Sequence, residues 1–530
     1  MGFYFVANLH VHFEKTHRIS CSSHIVLEKN NYFCTSNIII MIKDRFLHIV
    51  LLCMLPLIGW GQNFSEMAAN MNEMSLPLVN VEVDIDSVNK DNYTLGGITL
   101  LEYKGDTVKL DTFNCQVKYR GNFALSLPKK SFNIKLVDEE GEKLDANLLG
   151  LRTDNTWILD AMGIDKLRMR NRVCFDIWNE FSHTMWNTNY GNRNGTVGTM
   201  VEVFINGEYH GLYCLSDKVN RQLLNLRKAK VEDDGSVTVK GLLYKGIAWS
   251  ALTGYHEGST DSVVWDAFEL QYPDEYPSLE TWQPLINLMD FNCETEMDYF
   301  TEHYNEWYYV DNLVDYWVFL IAFGLDDMPY KNTILSTPDI NFDHRFMITP
   351  WDLDACLGRN WYGGLIDGYL LVTRLDGLAP FKRLKVNNID GFKQKLAQRW
   401  QQLIENQLAP SNLESHINAI AQRFVESGAW QREYNKWKNT NVRIGQNLEE
   451  EVQYVINWYI GNLAYANEHI EVWSEDYDPL SHVDIGTITS IYNYLLGTDT
   501  TFYEKLDLNQ DGTINTTDIT IAYNVLLEQE

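Results

Sequence analysis

Between Leu78 and Asp138 apolar and polar residues alternate with a period of two, in LVNVEVDID (78–86), GITLLEYKG (97–105), NCQVKYRGN (114–122) and KKSFNIKLVD (129–138). Side chains two apart share one face of a strand, and Gly- and Asp-rich turns separate the runs, so the pattern predicts an antiparallel sheet over roughly 77–140. The period becomes helical over Asp165–Phe181, where Leu167, Cys174, Ile177, Trp178 and Phe181 recur at three- and four-residue steps behind a capping Asp165. TMVEVFINGEYHGLYCLSDKV (199–219) reads as a hairpin turning at Asn206-Gly207. Strands are expected in 237–246 and 264–273, a helix near LETWQPLINLMD (279–290), and a strongly apolar helix over 310–325. Two short strand-like runs, TILST (333–337) and RFMIT (345–349), follow, and 391–470 reads as helices parted by Pro410 and Gly428. The expected class is α+β, with a β-rich N-terminal lobe and a mostly helical C-terminal one.

Composition narrows the partners. With 530 residues, 45% of them hydrophobic, the chain has room for two or three domains. A net charge of −29 speaks against nucleic acid or an anionic membrane, whose phosphates require clustered Lys and Arg. MIKDRFLHIVLLCMLPLIGWGQ (41–62) has a basic start at Lys43 and Arg45, an apolar run from Phe46 to Ile58 and a small-x-small site at Gly59-Trp60-Gly61. This is the pattern of a signal peptide spanning 41–61, and it makes residues 1–40 an extension from a misassigned start. The expected product is secreted or cell-surface, without an integral membrane segment. Its five cysteines (Cys115, Cys174, Cys214, Cys293, Cys356) include no C-x-x-C, so neither a zinc site nor a dense disulfide framework is indicated.

The chemistry concentrates in LDDMPYKNTILSTPDINFDHRFMITPWDLDACLG (325–358). Asp327 precedes Asn332 by five residues, a hairpin follows, and Asp352 comes directly after Trp351. In protein kinases this order aims a base at the substrate hydroxyl, an amide oxygen at a metal, and a second carboxylate at the same metal from the returning strand. The apolar helix before it would hold the loop rigid. Lys130, on the strand face of Phe132, Ile134 and Leu136, stands where a kinase strand lysine meets phosphates; Asp176 and Glu180 are both candidates for its acidic partner. Neither the glycine-rich loop nor the H-R-D of ordinary kinases is present.

Four segments resemble the CotH kinase family of spore-coat proteins: Arg120-Gly121-Asn122 with Pro128-Lys129-Lys130-Ser131-Phe132; Arg170-Asn171 early in a helix; a G-x-Y-x-L-x-acid strand ending here in Asp217, where the family has Glu; and Asp327, Pro329 and Asn332 followed by Pro350-Trp351-Asp352-Leu353-Asp354. The resemblance implies a two-lobed atypical protein-kinase-like fold over 62–475 and transfer of the ATP γ-phosphate to protein Ser/Thr hydroxyls. It implies Lys130 and Arg120 on the nucleotide, Asn332 and Asp352 on Mg2+ or Mn2+, and Asp327 orienting or deprotonating the acceptor. Asp354 is a second metal ligand or a structural acid.

The last residues change character. DLNQDGTINTTD (507–518) places Asp507, Asn509, Asp511, Thr513 and Asp518 at positions one, three, five, seven and twelve of an EF-hand-like Ca2+ loop. VDIGTITSIYNYLLG (483–497) repeats its end and following helix. The pair, over 476–530, resembles a type I dockerin, a small α-helical module that would tether the chain to a cohesin-like scaffold. The rival expectation for the whole chain is a non-catalytic extracellular surface or scaffold-associated binding protein.

Overall fold

The computed structural model describes residues 38–41, 63–186, 192–252, 266–325, 327–328, 331–369, 372–499 and 503–528. All of the expected leader (41–61) after Met41, most of the upstream extension, and Asp326 and Pro329 lie outside them. The architecture is mixed α+β, β-rich toward the N-terminus and helical toward the C-terminus.

Strands β1 (Ile38–Met41), β2 (Leu78–Val83), β3 (Thr94–Lys104), β4 (Thr107–Arg120), β5 (Ser131–Val137), β6 (Thr156–Asp160), β7 (Gly198–Ile205) and β8 (Glu208–Asp217) form one sheet. The four alternating runs are β2 to β5, as their period predicts. The sheet is more than a meander, because β4 has fourteen residues and serves two neighbours along one side. Thr107–Leu110 pairs with β1 and Asn114–Arg120 with β5. The order β4-β3-β2-β7-β8-β6-β5 therefore returns to β4 and closes a barrel. Every pairing is antiparallel except β2 with β7, which is parallel. The inward positions (Val79, Val81, Ile98, Leu100, Val117, Phe132, Ile134, Trp157, Leu159, Val201, Val203, Leu215) form one core. Closure removes the exposed edges an open sheet would carry. Asn206 and Gly207 both take positive φ, as a two-residue hairpin turn requires.

A second, smaller antiparallel sheet has the order β10-β9-β11-β12, from β9 (Leu242–Gly246), β10 (Phe268–Tyr272), β11 (Thr333–Thr337) and β12 (Met347–Pro350). The helices are α1 (Phe64–Ala69), α2 (Arg170–Phe181), α3 (Leu279–Cys293), α4 (Met297–Trp307), α5 (Val310–Phe323), α6 (Ala379–Leu384), α7 (Phe392–Ile404), α8 (Pro410–Glu426), α9 (Ala429–Trp437), α10 (Leu448–Ile470), α11 (Ile485–Leu495) and α12 (Thr516–Glu528).

Helix α5 is the axis of the helical part: every residue from Asn312 to Phe323 is buried. A helix apolar all round must be enclosed, and α2, α7 and α10 enclose this one. Its last turn exposes carbonyls without helical partners. Asn462 of α10 donates to two of them, Ile321 and Ala322, at 2.8 and 2.9 Å. Gly324 ends the helix at φ 59°, where a Cβ would collide with the Trp458 indole. Glycine meets both demands. Among the described residues no helix is long and apolar enough to cross a membrane.

Helices α11 and α12 enclose a small core of their own, including Val483, Ile488, Ile491, Leu506, Ile514 and Ile519. Glu504 joins this tail to the rest of the chain, accepting from Lys393 and from the Trp473 indole, both at 2.6 Å.

Candidate active site

The loop leaving α5 and the strand pair β11–β12 bring the predicted acids together. Asn332 opens β11, its N–H donating to Gly246 of β9 and its carbonyl accepting from Trp351 at 3.0 Å, so the residue before Asp352 lies against Asn332. The Asn332 amide donates to Asp327 Oδ2 at 3.0 Å, and Lys331 pairs with Asp327 Oδ1 at 3.0 Å. Asn332 (φ 63°) and Asp352 (φ 61°) both stand in the left-handed region. Asn and Asp tolerate it best, yet strained backbone still concentrates where geometry serves a site.

Asp327 is buried. Burial raises its carboxyl above the usual range and Asp352 adds to the rise, while Lys331 and Asn332 oppose it. Asp352 is exposed and Asp354 half-buried, with Leu353 packed inward between them. The Asp354 carboxyl is raised well above its ordinary value by burial first, then by Asp352, Asp160 and Asp165. Asn171 of α2 fixes this turn, accepting from the Leu353 N–H and donating to Asp160 Oδ2, each at 3.1 Å. Neither Asp352 nor Asp354 has a cation within ion-pair distance among the described residues. Two carboxylates crowded without a counter-ion suit a divalent cation. The Asn332 amide oxygen, without a partner among the described residues, is the natural third donor. Among those residues no group of three His, Cys, Asp or Glu converges to hold a metal, so amide or ligand oxygens would have to complete the shell.

Facing these acids is a cationic wall. Arg120, ending β4, and Lys245 of β9 flank the Trp351 indole at 5.5 and 5.6 Å from its centre. Burial lowers Lys245 from the usual lysine range, with Asp352 opposing and Arg120 adding to the shift. Lys218, directly after β8, is lowered likewise by burial and then by Arg120. None of the three is within ion-pair distance of a carboxylate among the described residues. Half-buried cations without partners are uncommon, since burial penalises the charge. An anion bound against them would relieve that penalty.

The other expected residues are placed as follows. Lys130 turns into the 123–126 turn and donates to the Leu125 carbonyl. Its neighbour Lys129 is the fully buried lysine, paired at 2.6 Å with Glu433 of α9, a carboxylate that also accepts from Arg168 at 2.7 Å and the Leu212 N–H at 2.8 Å. The acids considered as partners for Lys130 are engaged elsewhere, Asp176 with Arg172 at 2.9 Å and Glu180 with His416 at 2.7 Å. Asp217 is buried against Arg152 at 2.8 Å and the Val197 N–H. Lys218, Lys245 and Glu433 were not picked out in the sequence. Lys218 directly follows a recognisable motif strand and could have been; Lys245 carries no signal beyond a lysine on a short strand.

In the tail, Asp507 accepts from the N–H groups of Asp511 and Gly512, Asp511 from Thr513, and fully buried Asp518 from Leu508 and Asn515. The expected ligands Asp507, Asn509, Asp511, Thr513 and Asp518 thus share one tight loop, ordered by its own backbone amides.

A family model described as CotH kinase protein matches residues 117–466. The span contains Arg120, Lys218, Lys245, Asp327, Asn332, Asp352 and Asp354 and ends before the 507–518 loop. No curated protein matches the chain.

Proposed function

Because the chain belongs to the CotH kinase family, we propose that it is a secreted protein kinase with a two-lobed kinase-like fold, moving the γ-phosphate of ATP to Ser or Thr hydroxyls of another protein. The observation that carries the reading is the pairing of opposites around Trp351: cations without carboxylates on one side, carboxylates without cations on the other. Such an arrangement of charge is complementary to a polyphosphate carrying a divalent metal.

Arg120, Lys218 and Lys245 would hold the phosphates, and Asp352, Asp354 and the Asn332 amide oxygen would hold Mg2+ or Mn2+. When bound, the metal neutralises charge on the phosphate oxygens. Asp327, kept rigid by Asn332 and Lys331, receives or orients the acceptor hydroxyl. Its raised carboxyl favours a base that gives up a captured proton less readily than an ordinary Asp. Lys130 belongs to the turn beside Arg120 and has no phosphate contact in this scheme.

The tail reading is a Ca2+-binding, dockerin-like module that tethers the enzyme to a cohesin-like partner. Its support is the sequence pattern, which sets the five ligand positions within one loop of the chain. The second reading is a non-catalytic binding protein. The test is incubation with labelled ATP and Mg2+ or Mn2+ beside Asp352→Ala. Label transferred to itself or to a generic protein acceptor by the parent alone supports the kinase. Nucleotide binding without transfer by either protein supports the second reading.

A further inference from the structure

We propose that Cys174 and Cys356 form a disulfide that clamps helix α2 to the segment carrying Asp352 and Asp354. The two sulfurs are 3.5 Å apart, both side chains are fully buried, and 182 residues separate them in the chain. No other pair of cysteine sulfurs is in contact among the described residues, where Cys115, Cys214 and Cys293 stand apart.

The register on the two segments favours the bond. Asn171 and Cys174 are three apart on α2 and so share a face. Leu353 and Cys356 are also three apart. Asn171 accepts from the Leu353 N–H at 3.1 Å, and one turn further on Cys174 meets Cys356. The hydrogen bond already sets the register at one end, so closing the sulfurs to the disulfide length of about 2.05 Å requires a local shift of roughly 1.5 Å. The Cys356 thiol rests on the Leu353 carbonyl at 3.1 Å and can be released without exposing a charge. The bond would hold the turn between Asp352 and Asp354 from both sides.

Both thiols are sealed from solvent in the finished fold, so the exchange belongs to folding. One thiolate attacks glutathione disulfide and expels one glutathione thiolate; the second cysteine thiolate then attacks the mixed disulfide and expels the other. Two thiols and one glutathione disulfide become one protein disulfide and two glutathione thiols. The inference is independent of kinase activity.

The full chain is unfolded with reductant, refolded in a glutathione disulfide/thiol buffer, alkylated, digested and analysed by mass spectrometry. The expected product is a linked pair of peptides containing Cys174 and Cys356, lighter by about 2 Da than the two thiol peptides, which separate on reduction. Alkylated Cys174 and Cys356 in chain recovered folded from the oxidising buffer overturn the proposal, as does Cys174 linked to another cysteine. A second readout uses each protein as its own control: reductant lowers the melting temperature of the oxidised parent and leaves that of Cys174→Ala unchanged. An equal reductant effect on both proteins overturns it.

Discussion

Two clusters of charge sit at the edge of the barrel and are built in opposite ways. At Glu433 both carboxylate oxygens are engaged, Oε1 by Lys129 and Arg168 and Oε2 by the Leu212 N–H, with none of the three charged side chains exposed. Burial works to raise the Glu433 carboxyl, but the two cations overcome it and hold it low. Two cations share one carboxylate, so the surplus falls on the group able to lose a proton. Burial, with Arg168 adding, brings Lys129 down to about 7 against the pull of Glu433. Around Trp351 the cations and the acids have not met one another. A neutralised cluster fastens β5, β8, α9 and the loop before α2; an un-neutralised one has free energy left for a ligand.

The largest break in this comparison is Glu433→Gln. It removes the counter-charge from buried Arg168 and the carboxylate partner from Lys129, and should cost ~3–5 kcal/mol of stability, read as a lower urea midpoint with the slope unchanged. Asp352→Asn should do the reverse, lowering phosphate transfer by about 100-fold or more with unfolding unaffected, as expected where a residue stabilises transition-state charge. A fall in both properties for either variant would erase the distinction drawn here.

Lys245→Met keeps the packing on Trp351 and removes a charge, so the KM for nucleotide should rise about tenfold, equivalent to roughly 1.4 kcal/mol. Equal kinetics for Lys245→Met and the parent would take the lysine out of the phosphate wall. The smallest effect is at Asp354. Its folded carboxyl is raised, so the folded state binds a proton more tightly than the unfolded one, whose value is about 3.9. Its contribution to stability is therefore greatest at acid pH and falls as pH rises from about 4 through the raised folded value. Asp354→Asn should flatten that slope, raise the metal-free melting temperature slightly, and abolish any Mg2+-dependent rise.

The helical and strand periods were legible because they are local. β2 to β5, the Asn206-Gly207 hairpin, α2, α5 and the long C-terminal helices follow from side-chain spacing and turn chemistry alone. Asp327, Asn332 and Asp352 were legible for the same reason, lying within one loop and one strand pair whose order is the order of the chain. Helix α9 falls within the helical 391–470 stretch, but AWQREYNKW is polar at most positions and buries only Ala429, Trp430, Glu433 and Trp437, so nothing marked Glu433. Glu433 is the partner of Lys129, a contact across 304 residues.

Alternation at Lys129-Lys130 could show that the two lysines face opposite ways. It could not show which would find a carboxylate, since that depends on where α9 lands. Barrel closure, the parallel β2–β7 pairing and the meeting of Arg120, Lys218 and Lys245 are likewise tertiary. Each joins segments whose separation along the chain carries no periodic signal. The sequence determined by itself β2 to β5, the Asn206-Gly207 hairpin, α2, α5, the C-terminal helical stretch, the acidic segment and the family motifs, because these are written in neighbouring residues. Only the tertiary structure decided which charges are neutralised and which are left without a partner around Trp351, because burial and Coulomb interaction depend on distance in space.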